Sequence, residues 1–197
     1  MVIVGAGGLG REILTILIED NFQDDIVFYD ENPQIEPLLY HRYPVLQNLS
    51  ALKELFNNGD KRFVTAIGSP RLREKLTNKI ENKGGILCSV ISKRTTIFHF
   101  NPSYQGAIIQ PGVGISYGVE IGTGSAIHIN ATIGHCVQMG RYINIGPNAS
   151  VIGPCTIGDY SYISAQTCVL PNVSIGKHVI VNAGMVVDRD LADYEIF

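Results

Sequence analysis

The chain has 197 residues, 45% of them hydrophobic, and a formal net charge of −3. This length allows one large or two small domains with ordinary hydrophobic cores. The absence of a basic run argues against a nucleic-acid-binding surface, and no apolar run approaches the roughly 20 residues of a membrane span. The four cysteines show no CxxC spacing, and no signal peptide is predicted before the first strand, so we expect a reduced, cytoplasmic protein.

Residues 1–91 alternate strand and helix patterns, which predicts a Rossmann-like α/β domain with a parallel sheet. The predicted strands cover 2–4, 26–29, 63–68 and 86–91. The predicted helices cover 49–56 and 71–82, and a further helix follows the first strand, with Ile13, Leu14, Leu17 and Ile18 on its apolar face. Residues 92–106 are predicted to be a transition to the second domain.

A glycine string at the end of the first strand fits the pattern GxGxxG, with Gly5, Gly7 and Gly10 at its fixed positions and the acidic Asp30 about twenty residues on. Such glycines allow the backbone to approach a pyrophosphate at a helix N-terminus. Because about ninety residues hold only one mononucleotide-binding half, a single nucleotide or nucleotide-linked sugar is favoured over NAD. A tight turn without a ligand is the alternative.

Residues 107–197 are dominated by aliphatic side chains at every sixth position, a period that neither a helix nor a hairpin sheet explains. The series runs Ile109, Ile115, Ile121, Ile127, Ile133, Met139, Ile145, Val151, Ile157, Ile163, Val169, Ile175, Val181, Val187. It predicts a hexapeptide-repeat parallel β-helix with about eighteen residues per coil, so that residues eighteen apart are neighbours. Small or β-branched residues, Cys155 among them, stand two positions before each aliphatic one. The glycines that often follow are expected to take backbone conformations that a Cβ forbids.

Five histidines are candidates for chemistry: His41, His99, His128, His135 and His178. His135 follows Ile133-Gly134 at a predicted turn and can project outward, and Gly153 lies one coil later. An imidazole beside a glycine amide suits acyl transfer, with a general base and an oxyanion donor. A structural histidine is the alternative. A zinc site needs a third converging histidine besides His128 and His135, so no metal is predicted. His41, His99 and His178 are assigned no role.

Four segments carry a resemblance to a known family. They are Val-Gly-Ala-Gly-Gly-Leu-Gly-Arg-Glu at 4–12, Ala-Ile-Gly-Ser-Pro-Arg-Leu-Arg at 66–73, Ile-Asn-Ala-Thr-Ile-Gly-His at 129–135 and Val-Leu-Pro-Asn-Val-Ser-Ile-Gly at 169–176. Nearly the whole chain resembles the bacterial sugar acetyltransferases of the sialic acid O-acetyltransferase (NeuD/PglD-like) type, which include N-acetyltransferases of nucleotide-linked 4-amino sugars.

The resemblance implies a homotrimer of left-handed β-helices, with acetyl-CoA between neighbouring helices and the nucleotide sugar on the N-terminal domain. It implies that His135 is the general base and Gly153 the oxyanion donor. The positions that match acetyl-CoA contacts are Asn144, Ala165 and Ala183. The positions that match sugar-nucleotide contacts are Gly7, Gly8, Leu9, Asp30, Glu31 and Gly68.

Three departures from the family pattern bear on activity. The residue after His135 is usually Asp or Glu and is here Cys136, a thiol that orients an imidazole less well than a carboxylate does. The position of Asn144 is often histidine in the family. The sequence given stops at Tyr194-Glu195-Ile196-Phe197, where the family continues into a Gly-x-Pro-Ala-Lys tail.

The predicted function is acetyl transfer from acetyl-CoA to an amino or hydroxyl group of a sugar, for example a nucleotide-linked 4-amino-dideoxy sugar of surface-polysaccharide assembly. Cys136 beside His135 leaves an acyl-enzyme route open. One alternative is a catalytically weakened trimeric solenoid that binds a sugar nucleotide without turnover. Another is an NAD-binding regulatory module, favoured only by the glycine string and Asp30.

Overall fold

The computed structural model describes residues 1–98 and 104–197. They divide into two compact units, Met1–Val90 and Ile91–Phe197. His99 and part of the predicted transition segment lie outside the described residues. Within the described part of the chain, none of the helices combines the length and apolarity that crossing a bilayer requires.

The N-terminal unit is an α/β fold of six strands and three helices within the described residues. In chain order these are β1 (Val2–Val4), α1 (Gly8–Glu19), β2 (Val27–Tyr29), β3 (Leu38–Leu39), β4 (Tyr43–Leu46), α2 (Leu49–Asn58), β5 (Arg62–Thr65), α3 (Pro70–Glu81) and β6 (Ile86–Leu87). The sheet order is β3-β4-β2-β1-β5-β6, and only the β3–β4 pair is antiparallel. β1 lies centrally because its residues Val2, Ile3 and Val4 are all apolar and can be buried on both faces.

Two features of this unit differ from the prediction. The β3–β4 hairpin was not predicted, because Pro44 interrupts the strand pattern; a proline is tolerated toward a sheet edge. On α1, Ile13, Leu14, Ile16 and Leu17 are buried, whereas Ile18 is 52% exposed near the helix end. The helical period therefore predicted the buried face of α1 correctly but extended it one residue too far, to Ile18.

The second unit is a parallel β-helix built from two-residue strands. They are β7 (Val90–Ile91), β8 (Thr96–Ile97), β9 (Ile108–Ile109), β10 (Gly114–Ile115), β11 (Glu120–Ile121), β12 (Ala126–Ile127), β13 (Thr132–Ile133), β14 (Gln138–Met139), β15 (Asn144–Ile145), β16 (Ser150–Val151), β17 (Thr156–Ile157), β18 (Tyr162–Ile163), β19 (Cys168–Val169), β20 (Ser174–Ile175), β21 (Ile180–Val181) and β22 (Val186–Val187). Three sheets form its faces, with orders β22-β19-β16-β13-β10-β8, β11-β14-β17-β20 and β21-β18-β15-β12-β9-β7. Ile133 pairs with Val151 and Val151 with Val169, which confirms the eighteen-residue stacking.

The β-helix begins earlier than residue 107. β7 joins the sheet of β9, and β8 pairs with β10, so part of the segment taken as a transition already forms a coil. Ile91 and Ile97 stand in phase with Ile109, but Ser103 interrupts the aliphatic series, which is why the period was recognised only from Ile109. The segment predicted as one strand at 86–91 is likewise divided between the two units, as β6 and β7.

The interior of the β-helix holds the aliphatic series, and none of its fourteen members from Ile109 to Val187 is more than 6% exposed. The small residues beside them are also buried, except Met185, which is 37% exposed. Buried hydroxyls bond to the backbone: the Ser161 hydroxyl donates to the Gly176 carbonyl and accepts from the Val179 amide. Cys155 packs in this core, and burial raises the pKa of its thiol to about 11, so it stays protonated.

Glycine is required after the aliphatic positions for a different physical reason from the one predicted. None of them has a left-handed φ; those angles occur two residues further on, as at Cys136, which has a φ of +57°. A Cβ on Gly134 would lie 2.6 Å from the Gly153 nitrogen, and one on Gly158 would lie 2.6 Å from the Gly176 carbonyl carbon. The glycines are therefore required because stacked coils approach too closely for a side chain.

Two isoleucines of α1 test the packing of the N-terminal unit. We expect Ile13→Ala to lower the free energy of unfolding by about 2–5 kcal/mol, because its side chain is fully buried. Ile18→Ala, on the same helix but 52% exposed, is the matched control and should change it by less than about 0.5 kcal/mol. Urea unfolding followed by far-ultraviolet circular dichroism measures both. Equal losses would contradict the observed helix orientation.

Candidate active site

The glycine string separates into two pairs with different roles. Gly5 has a φ of +106°, and a Cβ there would lie 2.7 Å from the Ala66 carbonyl oxygen. A Cβ on Gly10 would overlap the Gly5 carbonyl oxygen. These two glycines are therefore needed to pack the start of α1 against the sheet. Gly7 and Gly8, by contrast, are exposed, and a Cβ at either would meet nothing within 4 Å.

The open glycines lie where α/β folds bind ligands. Gly7 precedes α1, with no side chain capping the first turn, so amide groups and the positive end of the helix dipole face outward. Gly68 is also exposed and has no atom within 4 Å of its Cβ position; it follows β5, the neighbour of β1. Chain connectivity changes direction at β1, which has β2 on one side and β5 on the other. Such a switch point is the usual ligand crevice. Leu9, predicted with Gly7 and Gly8, is half-buried in the first turn of α1.

Asp30 organises the glycine turn. One carboxylate oxygen accepts the Ala6 amide at 2.9 Å and the other accepts the Asn32 amide at 3.0 Å. These bonds tie the end of β2 to the turn after β1. The structure thus places Asp30 beside the predicted nucleotide site, and its observed contacts are with the backbone of the turn.

Glu31 lies in a network that sequence reasoning missed. It accepts hydrogen bonds from the Tyr29 hydroxyl at 2.6 Å and from the Lys79 ammonium at 2.8 Å. Lys79 and then Tyr29 hold the pKa of Glu31 below its ordinary value, whereas burial and the neighbouring carboxylate raise the pKa of Tyr29. Lys79 comes from α3, forty-eight residues away, so no local pattern indicated the contact.

Arg73 is a second residue to which the sequence gave no role. Its guanidinium is almost fully buried and donates to the Ile67 carbonyl at 2.7 Å and the Gly68 carbonyl at 3.4 Å. A buried charge of this kind is stable only where it is well hydrogen-bonded. Arg73 therefore holds the turn between β5 and α3, which includes Gly68.

In the β-helix, His135 and Cys136 form the turn between β13 and β14, and both side chains are exposed. Neither imidazole nitrogen of His135 forms a hydrogen bond within residues 1–98 and 104–197. An imidazole in this position can exchange hydrogen bonds with solvent. The imidazole is thus available to a bound molecule.

Gly153 stacks on His135 from the next coil. A Cβ at Gly153 would overlap the His135 carbonyl oxygen and would lie 3.1 Å from a Val137 methyl group, so only glycine fits. Across the described ranges, the Gly153 N–H makes no hydrogen bond. The corner therefore combines an exposed imidazole with the amide of a buried glycine that has no hydrogen-bond acceptor among the described residues.

Tyr117 stacks on the other side of His135, from the preceding coil. The two ring centroids are 5.6 Å apart and the planes are inclined by 11°. We call the turns at 117–118, 135–136, 153–154 and 171–172 the His135 corner. Applying the eighteen-residue spacing backwards from His135, and not only forwards, would have found Tyr117 in the sequence.

A shallow groove of mixed polar and apolar lining includes part of this corner. It has a volume of about 330 Å³ and is lined by Cys136, Gln138, Pro154, Cys155, Thr156, Asn172, Val173 and Ser174. Gln138, Thr156 and Ser174 are outward residues of one sheet, eighteen apart. Cys136, Pro154 and Asn172 belong both to the His135 corner and to this groove.

Two of the predicted acetyl-CoA contacts, Ala165 and Ala183, are neighbours on successive coils, since the Gly184 amide donates to the Ala165 carbonyl at 2.9 Å. Ala165 is half-buried and Ala183 exposed, and both lie in turns of a different corner. The role of Asn144 stays a prediction; its side chain, on β15, is only 1% exposed. Its polar side chain gave no indication of this in the sequence.

Three other histidines fall within the described residues. His178 is stacked between Tyr160 and Tyr194 at another corner, with centroids 4.7 Å from each. His41 is exposed in the turn between β3 and β4, and His128 is half-buried. The residues that the structure describes contain no cluster of three His, Cys, Asp or Glu side chains that could hold a metal ion.

Two glycines of the string give a test of their separate roles. We expect Gly10→Ala to lower the melting temperature markedly, because the new methyl group overlaps the Gly5 carbonyl. Gly7→Ala should leave it within about 2 °C of the wild type, since its Cβ position is open and its φ is −77°. Thermal unfolding of the two variants measures this. A large loss in Gly7→Ala would mean that this glycine, too, serves packing.

Comparison with known proteins gives matches for the first unit and for the whole chain. Residues 1–80 match the PglD N-terminal domain family. GDP-perosamine N-acetyltransferase of Escherichia coli O157:H7 is 27% identical over 187 residues, which cover 92% of this chain and 82% of the relative.

Solved structures extend the match. PerB from Caulobacter crescentus, in complex with CoA and GDP-perosamine, superimposes with a TM-score of 0.90 and 28% identity, covering 99% of this chain and 91% of that one. The acetyltransferase domain of PglB from Neisseria gonorrhoeae FA1090, with acetyl coenzyme A, has a TM-score of 0.87 over 99% of this chain and 93% of its own; at 22% identity it supports the fold alone. The predicted fold class, a Rossmann-like α/β domain followed by a left-handed parallel β-helix, is confirmed, and so is the resemblance of this chain to the PglD-like sugar acetyltransferases.

Proposed function

We propose that the protein is an acetyl-CoA-dependent N-acetyltransferase whose acceptor is an amino group of a nucleotide-linked sugar. The observation that carries this proposal is the His135 corner, where a residue with an exposed imidazole and no side-chain hydrogen bond stacks on Gly153, whose amide has no acceptor among residues 1–98 and 104–197. The relatives that extend over the whole chain support the same chemistry, since their names specify N-acetyl transfer and GDP-perosamine. An amine acceptor is favoured over a hydroxyl for that reason.

The mechanism follows from two groups. The sugar amine attacks the thioester carbonyl of acetyl-CoA, and His135 accepts the proton that the nitrogen loses as the new C–N bond forms. The Gly153 N–H donates to the oxyanion of the tetrahedral intermediate. The C–S bond then breaks, the CoA thiolate leaves, and His135 transfers the proton that it took from the nitrogen to the sulfur. A general base of this kind contributes roughly 10²–10⁴-fold to the rate.

The N-terminal unit is the proposed binding site for the nucleotide part of the acceptor. Gly7 and Gly8 leave open space at the start of α1, where backbone amides suit a diphosphate. Gly68 and Leu9 would line the same turn region, and Glu31 would accept hydrogen bonds from hydroxyl groups. Asp30 and Arg73 would not contact the nucleotide themselves; they hold the turns after β1 and β5 through hydrogen bonds to backbone atoms.

We further propose a homotrimer acting in the cytoplasm, where acetyl-CoA and nucleotide sugars are available. His135 lies at one corner of the coil, whereas Ala165 and Ala183 lie at another. A CoA molecule that contacts those alanines in one copy could meet His135 of a second copy. A site between copies accounts for this separation.

Substitution of His135 tests the reaction and the base together. With acetyl-CoA and GDP-, UDP- or dTDP-linked amino sugars, we expect CoA-thiol release to fall by roughly 10²–10⁴-fold in His135→Ala. His41→Asn, which removes an exposed histidine far along the chain, is the control and should retain wild-type activity.

The outcomes separate the alternatives. Equal activity in wild type and His135→Ala would show that another group is the base. Absence of turnover in the wild type, with a sugar nucleotide still raising the melting temperature, would establish the binding solenoid, for which the lack of a carboxylate at Cys136 is the supporting feature. Stabilisation by NAD instead of a sugar nucleotide would favour the regulatory module.

Cys136 tests the route of transfer. We expect Cys136→Ser to keep kcat within about threefold of the wild type, because direct transfer needs no thiol and serine has a similar size. The assay is steady-state CoA release, together with mass spectrometry of the enzyme after exposure to acetyl-CoA alone. Loss of activity in the serine variant, with an acetyl adduct on the wild-type protein, would establish an acyl-enzyme instead.

A further inference from the structure

We propose that Tyr117 is a positioning residue for His135: its stacked ring holds the plane of the imidazole. This inference rests on the proposed function of His135. The parallel rings, with centroids 5.6 Å apart and an inclination of 11°, form an offset stack within the range in which aromatic pairs attract.

The Tyr117 side chain makes few other contacts in the described structure. Its side chain is 56% exposed, so it adds little to the core. Among residues 1–98 and 104–197 its ring contacts no other ring than His135, and its hydroxyl forms no hydrogen bond. Tyr142, at a different corner, shows the contrast, since it is only 4% exposed and packs over Gly124.

The backbone fixes the register of the pair. The Cys136 amide donates to the Tyr117 carbonyl at 3.0 Å, and the Ser116 amide donates to the Ile133 carbonyl at 2.9 Å. These bonds bracket His135 and lock the turn that carries it onto the turn that carries Tyr117. On the other side Gly153 offers no side chain, so Tyr117 is the side chain of this corner that can define the imidazole plane.

The same contact favours the reacting state. When His135 accepts the proton from the acceptor nitrogen, its ring becomes a cation that faces the π-surface of Tyr117. A cation over an aromatic face is attracted to it. The ring can thus orient the base and stabilise the charge that it gains, without a carboxylate at position 136.

The chain offers a matched control at another corner. Tyr194 stacks on His178 with centroids 4.7 Å apart and an inclination of 16°, and it is 64% exposed. Tyr194→Leu therefore removes an exposed tyrosine from a tyrosine–histidine stack that has no role in the proposed reaction.

The experiment is steady-state CoA release by Tyr117→Leu, Tyr117→Phe and Tyr194→Leu. We expect kcat to fall about 10-fold to 100-fold in Tyr117→Leu, with KM for both substrates within about twofold, since a misplaced base slows the chemical step. Tyr117→Phe should restore the wild-type kcat because the hydroxyl has no partner. Tyr194→Leu should match the wild type.

A double-substitution cycle and a spectrum complete the test. In a His135→Ala background, Tyr117→Leu should cause no further loss, because the two residues act as one unit. The His135 ring proton signals, assigned by their absence in His135→Ala, should shift in Tyr117→Leu and stay in place in Tyr117→Phe.

Each contrary result is distinct. An inactive His135→Ala with unimpaired Tyr117→Leu would overturn the role of Tyr117 and leave the proposed function standing. A raised KM with unchanged kcat would make Tyr117 a substrate contact. Equal losses in Tyr117→Phe and Tyr117→Leu would implicate the hydroxyl and refute a role for the stacked ring. If Tyr117→Leu is unstable, Tyr117→Gln repeats the comparison without an aromatic ring.

Discussion

The close stacking of successive coils is the constraint on which the β-helix and its site depend. Backbone amides of one coil donate to carbonyls of the next, as from Gly134 to Val151 and from Ile152 to Val169. This fixes residues eighteen apart within contact distance and forbids side chains wherever the backbones come nearest. Every corner is therefore a column of residues, one from each coil, whose neighbours are set by the period alone.

The candidate active site is a consequence of that geometry. Tyr117, His135 and Gly153 come from three successive coils, and none of them depends on a long loop for its position. Hydrogen-bonded turns hold His135 and Gly153, the proposed base and amide donor, in a fixed frame, which is the condition for electrostatic stabilisation of a transition state. The frame also limits variation, because a side chain at position 153 would overlap the His135 carbonyl.

In the N-terminal unit, too, glycines are placed where the backbone packs closely. Two of its glycines serve packing and two leave space, so a single motif supplies both a tight turn and an open surface. Asp30 and Arg73 then fix the two turns through backbone atoms, and Lys79 holds Glu31 from α3. These charged side chains of the N-terminal unit are held in place by hydrogen bonds to other groups of the protein.

Much was determined by the sequence alone: the six-residue period, the buried aliphatic series, the eighteen-residue neighbours and the position of His135 at an exposed turn. These follow from local periodicity, because side-chain direction repeats with the strand and the turn. Only the tertiary structure showed that Asn144 is buried and that the coils begin at β7. It also showed that the repeat glycines prevent backbone clashes between successive coils, and that the Asp30 carboxylate accepts a hydrogen bond from the turn after β1. Burial and close approach depend on which surface covers a residue, and that surface comes from parts of the chain distant in sequence.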